Sequence, residues 1–211
     1  MTANQTSALV VTRLAERHRQ RTPGRPVLVG IGGGSAGGKS TLARTLVERL
    51  APLRVEVTGQ DRFFKPTAEL PSYPSPSREK PWPDYNRPDS FRTAELLAYL
   101  RGIAGCEVAI LEGILVLHDE EIRGLLDLRC YVAASADERI VRRIRRNVAA
   151  GIPLDDVADY YLESVRFQHD RFNAPTAAHA DLVIPGGAAE VQVREEMVDG
   201  VVEGIRTYLG R

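Results

Sequence analysis

Val27-Leu-Val-Gly-Ile-Gly-Gly-Gly-Ser-Ala-Gly-Gly-Lys-Ser-Thr-Leu-Ala-Arg-Thr-Leu-Val-Glu-Arg-Leu50 decides the fold class. Val27 to Ile31 is a continuous apolar run, as in a strand buried on both faces. A glycine-rich turn follows, and Ser40 to Leu50 reads as a helix. Strand, glycine turn, helix opens an α/β unit. Gly33 to Ser40 also matches G-x-x-x-x-G-K-[ST], a phosphate-binding loop, in the strand–helix context that such a loop requires. The chemistry needs these residue types. Small residues at Gly33, Gly34, Ser35, Ala36, Gly37 and Gly38 let backbone N–H groups converge on phosphate oxygens, and the helix N-terminus at Thr41 adds positive potential. Lys39 reaches the β- and γ-phosphates, and the Ser40 hydroxyl is placed to ligate Mg²⁺. The expected cofactors are ATP and Mg²⁺.

The alternation continues outward from this unit. Strands are expected at 54–58, 107–111, 128–132 and 181–184, with helices at 91–101, 120–126, 137–150, 154–172 and 190–209. Five strands separated by helices predict a mostly parallel, doubly wound five-stranded sheet with helices on both faces. Ahead of it, Ser7 to Gln20 predicts an amphipathic helix capped by Ser7, broken at Thr22 to Pro26. We read the 211 residues as one domain: an N-terminal helix and linker over 1–25, a proline-rich loop over 66–90 and a lid region over 139–155. Pro66 to Pro88 carries seven of the 13 prolines and cannot be regular helix or central strand. Its place just after Asp61 favours a loop that covers substrate.

Carboxylates and arginines fill out the chemistry. Asp61 falls at the C-terminal end of the second strand, the edge where open α/β sheets bind ligands, and can take the proton of an attacking hydroxyl. Glu112 ends the third strand, where a carboxylate positions magnesium or an attendant water. Arg139, Arg142, Arg143 and Arg146 recur at helical spacing, ahead of a hinge at Gly151 to Pro153. A lid that brings guanidinium groups onto a phosphoryl group is the sharper reading of that face.

The bulk numbers narrow the partners. Lys plus Arg equals Asp plus Glu at 28 each, so the basic excess of a nucleic-acid binder is missing. No run reaches the ~18 apolar residues of a membrane span, and Met1 to Gln5 lacks a signal-peptide pattern. Cys106 and Cys130 sit in apolar runs, as buried thiols of a reducing compartment do. The expectation is a cytoplasmic protein with a small-molecule partner, no nucleic acid and no membrane; whether it forms a homo-oligomer stays open. A guanine-reading N-K-x-D segment is absent, which argues against a switch GTPase. Nucleotide hydrolysis without an acceptor remains the remote alternative.

Linked motifs in this order resemble the uridine kinase family over most of the chain. The P-loop, Gln60-Asp-Arg-Phe-Phe-Lys65, Tyr85-Asn-Arg-Pro-Asp-Ser-Phe91, Leu111-Glu-Gly-Ile-Leu-Val116, Arg142-Arg-Ile-Arg-Arg146 and Ala180-Asp-Leu-Val-Ile-Pro185 carry the likeness. The resemblance implies a P-loop kinase fold and phosphoryl transfer from ATP to a nucleoside hydroxyl. It implies Asp61 as base, Lys39 on the phosphates, Ser40 and Glu112 at magnesium, and Arg143 and Arg146 in the lid. Phe64, Tyr85, Asn86 and Arg87 fall at the acceptor. Three departures stand out. Leu100 to Val108 leaves no room for the hairpin that holds the pyrimidine in uridine kinases. Asn86 stands where an acid holds the ribose, and Ile152 and Tyr160 stand where polar base readers are expected. Gln60 to Pro66 is also similar to nicotinamide riboside kinases, so a nicotinamide riboside, another riboside or a polyol is the alternative acceptor. Tyr73, Trp82 and Tyr85 either stack on a flat ring or pack the loop onto the domain.

Overall fold

The computed structural model describes residues 1–18 and 24–211. Helix α1 spans Ala3–Arg17, strand β1 Val27–Gly33, α2 Lys39–Leu50 and β2 Val55–Gly59. Two-residue strands β3 (Ser72–Tyr73) and β4 (Trp82–Pro83) pair within the proline-rich segment. Then come α3 (Thr93–Gly102), β5 (Val108–Glu112), α4 (Glu120–Leu125), β6 (Leu128–Ala133), α5 (Ala136–Ala149), α6 (Leu154–Tyr160), α7 (Arg166–Gln168), β7 (Leu182–Pro185) and α8 (Val191–Leu209).

Five strands form one sheet in the order β2-β5-β1-β6-β7, every neighbouring pair parallel. This is the doubly wound α/β arrangement expected from the sequence. Strand alternation sorts the core into two layers. Val27, Val29 and Ile31 point toward α1, α2 and α8, whereas Leu28, Ala109 and Leu111 pack with Leu96, Leu100 and Leu126 on the α3 and α4 side. β1 is buried at every position because it lies at the centre with a layer on each face.

The N-terminal helix differs from expectation. It begins at Ala3 and is capped by Thr2, whose hydroxyl accepts from the Gln5 N–H while the Gln5 side chain accepts from the Thr2 N–H. That reciprocal capping box outcompetes the isolated Ser7. The predicted continuation to Gln20 and the break at Thr22 and Pro23 lie outside the described residues. The helix packs along α8, burying Thr6, Val10 and Leu14, and Arg17 donates to both oxygens of Asp181 at 2.6 and 2.9 Å, just before β7.

The segment predicted as one helix over 154–172 runs on continuously but changes winding. Tyr161–Val165 and His169–Asn173 are π-helical turns flanking α7, a rare geometry that marks sites where side chains are re-aimed.

Gly200 and Gly204 let α1 and α8 touch. A Cβ at Gly200 would overlap the Ala3 carbonyl oxygen and the Thr6 side chain. Gly200→Ala is therefore expected to cost about 1–3 kcal/mol through overpacking, read as a lower denaturant midpoint at unchanged slope. Gly102→Ala, where nothing lies within 4 Å of the added methyl, should be close to neutral; equal midpoints for both variants would contradict this packing.

Candidate active site

Register brings the charged residues to one edge. Ile31 of β1 and Gly59 of β2 both stand opposite Glu112 at the end of β5, and Asp61 follows two residues after Gly59. A cleft of about 760 Å³ opens along this C-terminal edge, lined by Ser35 to Thr41, Asp61, Glu112, Arg142 and Arg146. Parallel sheets leave their ligand crevice at this place.

The loop between β1 and α2 turns where side chains are disfavoured. Gly38 precedes α2 with φ of +108°, and Ala36 sits at +61°, the sole non-glycine with positive φ among the described residues. Gly37 N–H and Lys39 Nζ both donate to the Gly34 carbonyl, at 3.0 and 2.9 Å. Lys39 is buried, and loss of water pushes its ammonium down to about 8. Glu112 and Asp61 pull it back up, while Arg146 and Arg139 add to the push.

Ser40 Oγ donates to Glu112 Oε1 at 2.9 Å. Two hard oxygen donors side by side below the phosphate loop fit a magnesium ion. No group of three or more His, Cys, Asp or Glu forms a protein-only cage among the described residues. Magnesium suits such a site, since it takes one or two protein ligands and completes its shell with phosphate and water. Asp61 opens onto the same cleft. Its carboxyl lies above the ordinary range, chiefly through desolvation; Glu112 adds to the rise, and Lys39 and Arg146 oppose it.

Helix α5 supplies the cations. Arg143 Nη1 donates to Ser35 Oγ at 2.9 Å, and its guanidinium lies 5.4 Å from the centre of the Tyr160 ring. Burial lowers its pKa. Arg146 lines the cleft, and Arg142 donates to the Gly186 carbonyl at 2.9 Å. Arg139, which sequence reasoning placed only on the same face, is buried beneath the loop; a Cβ at Gly34 would meet its Nη1 at 2.6 Å. Arg145 is exposed.

The acceptor residues separate. Asn86 is buried and lines a second, smaller cavity beside the P-loop. Phe64 instead stacks on Phe91 at 4.4 Å and meets Tyr85 edge-on at 5.2 Å. Arg87 turns to Asp89, 2.8 Å away. None of these three lines either cavity. The loop aromatics pack on their neighbours: Tyr73 stacks on Tyr160, and Trp82 lies under Arg78. Sequence reading missed Thr45, Gly186, Gly187, Val191 and Arg194, which also line the cleft. The glycine pair directly after the last strand was the available signal.

The family model for "Phosphoribulokinase / Uridine kinase family" matches residues 77–192. The chain belongs to the phosphoribulokinase/uridine kinase family. The match starts well after the P-loop, so the loop geometry is a separate observation. A uridine kinase of Brevibacillus brevis is 36% identical over 190 residues, covering 78% of this chain and 86% of its own. A uridine kinase of Geobacillus sp. strain WCH70 is 32% identical over 211 residues, covering 88% and 96%. The crystal structure of a candidate fructose transport system kinase from Silicibacter sp. TM1040 superposes with a TM-score of 0.60 at 22% identity, over 85% of this chain and 98% of that one, and shares the fold. No described helix is long and apolar enough to cross a membrane.

The lowered Lys39 makes a pH signature. At about pH 9 most of the free protein carries a neutral Lys39, whereas a bound triphosphate favours the charged form. Binding at about pH 9 should take up close to one proton, and at about pH 7 far less, measured by calorimetry in buffers of different ionisation enthalpy. Lys39→Met should abolish the uptake; uptake that persists would place the titrating group elsewhere.

Proposed function

We propose that the protein is an ATP-dependent nucleoside kinase: it transfers the γ-phosphoryl group to a hydroxyl of a nucleoside or nucleoside-like acceptor. The observation that carries this reading is the convergence of Lys39, Asp61, Ser40–Glu112 and Arg146 on one cleft at the C-terminal edge of the sheet. A nucleotide-binding protein without phosphotransfer chemistry has no need of Asp61 opposite Lys39. Membership in the kinase family and relatives named uridine kinase support ATP as donor and a nucleoside as acceptor.

The roles follow from position and charge. Backbone N–H groups of the loop cradle the phosphates, and Lys39 holds the charge on the transferring group. Arg143, bonded to Ser35 of the loop, and Arg146, lining the cleft, add positive charge from the lid side. Asp61 takes the hydroxyl proton. Its raised pKa, caused chiefly by desolvation, makes it a better proton acceptor than an ordinary aspartate. Ser40 and Glu112 would hold a magnesium ion, which would supply neutralisation of the phosphate charge. Thr45, Gly187 and Arg194 also line the cleft and are the residues we assign to the nucleoside part of the donor. We place the protein in the cytoplasm, where ATP and nucleosides are available.

A ribosyl or polyol acceptor without pyrimidine-edge recognition is the second reading. It is favoured by the direct run from α3 to β5, which leaves only residues 103–107 between them and no hairpin over the acceptor.

Asp61→Asn should lower kcat by about 10²- to 10⁴-fold while ATP affinity is kept, because the amide cannot take the proton. Lys39→Ala should lower kcat about 10³-fold or more in a folded protein. Coupled-assay turnover with uridine and direct ATP titration separate the two effects. An Asp61→Asn variant that loses ATP affinity and keeps its rate would move Asp61 out of the base role.

A further inference from the structure

Arg143 is a half-buried cation with little around it to balance its charge. It makes no ion pair among the described residues, and its Nε is buried without a hydrogen-bond partner. Its Nη1 donates to a neutral oxygen, Ser35 Oγ, at 2.9 Å. Arg146 on the same helix adds like charge. A guanidinium keeps its proton inside a protein, so the charge has to be met in another way. The Tyr160 ring meets it. The guanidinium carbon lies 5.4 Å from the ring centre, and the attraction of a cation to an aromatic face grows as water is removed. Burial raises the Tyr160 phenol above its ordinary range, so the ring is neutral and acts through its face rather than as an anion.

The proline-rich loop grips the same tyrosine. Tyr160 closes α6 directly before the first π-helical turn. Its hydroxyl accepts from the Tyr85 backbone N–H at 3.1 Å and from Asn86 Nδ2 at 2.9 Å, and Tyr73 stacks on its ring at 6.1 Å. Two further contacts dock the loop on the same stretch of helix. Ser75 Oγ donates to Glu163 Oε2 at 2.5 Å, and Arg78 pairs with Asp156 at 2.9 Å. A continuous line of contacts therefore runs from the loop through Tyr160 and Arg143 to Ser35 of the phosphate loop.

We propose that Tyr160 is a positioning residue for phosphoryl transfer: its ring holds Arg143 against the phosphate loop, and its hydroxyl ties that arrangement to the docked proline-rich loop. Tyr160 acts through Arg143 and not on the acceptor itself. A proline-rich loop that is out of place loosens the ring, and with it the cation, so transfer slows when the loop is unseated. The role rests on the kinase reading for the reaction that it serves.

The test is a double-mutant cycle on the full-length protein, with kcat and KM measured on the best nucleoside of a panel at saturating ATP. Tyr160→Leu should lower kcat about three- to thirtyfold, the range for a desolvated cation–aromatic contact. Tyr160→Phe, which keeps the ring, should recover most of that kcat and show its defect in the acceptor KM, through the loosened loop. In an Arg143→Ala background, Tyr160→Leu should change kcat by less than about twofold, because the cation that it positions is gone. The same loss of kcat in both backgrounds, an unchanged kcat in Tyr160→Leu, or Tyr160→Phe as slow as Tyr160→Leu overturns the role. A general loss of stability gives the first of these results, so a poorly folded variant does not imitate the relay. Wild type that phosphorylates no nucleoside counts against the kinase reading instead. The cycle is then read on the Kd for ATP: coupling of about threefold or more between the two substitutions supports the role, and independent effects overturn it.

Discussion

A buried ammonium group organises this protein. Lys39 lies almost out of water at the start of α2, where solvation is lost and only protein groups can stabilise the charge. It finds the Gly34 carbonyl within its own loop and the carboxylates Glu112 and Asp61 nearby. Neither acid is near it in sequence. They arrive because β2, β5 and β1 run parallel in neighbouring register and end on the same edge. A one-residue slip would turn each strand's apolar set over, so the hydrophobic alternation that builds the two core layers also places the charges around Lys39. Sheet packing and phosphate electrostatics thus rest on one register.

The donor half of the site was legible in the sequence for that reason. A strand, a glycine loop, Lys39 and Ser40 are local, and a carboxylate after an apolar strand lands on the sheet edge whatever the strand order is. Helix and strand positions followed the hydrophobic periods closely, with the largest displacement at α1. There the capping box of Thr2 and Gln5 is a four-residue signal that an emphasis on the apolar stripe passed over. The π-helical turns had no local signature, because the same residues continue an α-helical pattern and only the backbone of Tyr161–Val165 and His169–Asn173 shows the change.

The acceptor half was far less legible. Its contacts join residues 74 to 88 positions apart, such as Asn86 to Tyr160 and Ser75 to Glu163. Pattern reading ranked Tyr85, Asn86 and Arg87 together because they adjoin in sequence, yet the chain turns Asn86 inward and pairs Arg87 with Asp89 at the surface. The aromatics of the proline-rich loop showed the same limit. Their apolar faces were visible, but Tyr73 and Trp82 are occupied by Tyr160 and Arg78, partners that no spacing rule supplies.

The two halves differ in electrostatic character, and that difference follows from what each must hold. The donor side faces a triphosphate, and it gathers Lys39, Arg142 and Arg146 along one cleft. The acceptor side holds its one buried acid, Asp84, behind amides and shows neutral groups to the cavity. An exposed carboxylate there would compete for the arginines of α5, since Arg143 lies over Tyr160 at the boundary between the halves. With Asp84 screened by Asn86 and Gln168, Arg143 is left to bond Ser35 of the phosphate loop. With the negative charge one layer back, Asp84 orients Asn86 and Gln168, and the positive charge of α5 is left to the phosphate loop.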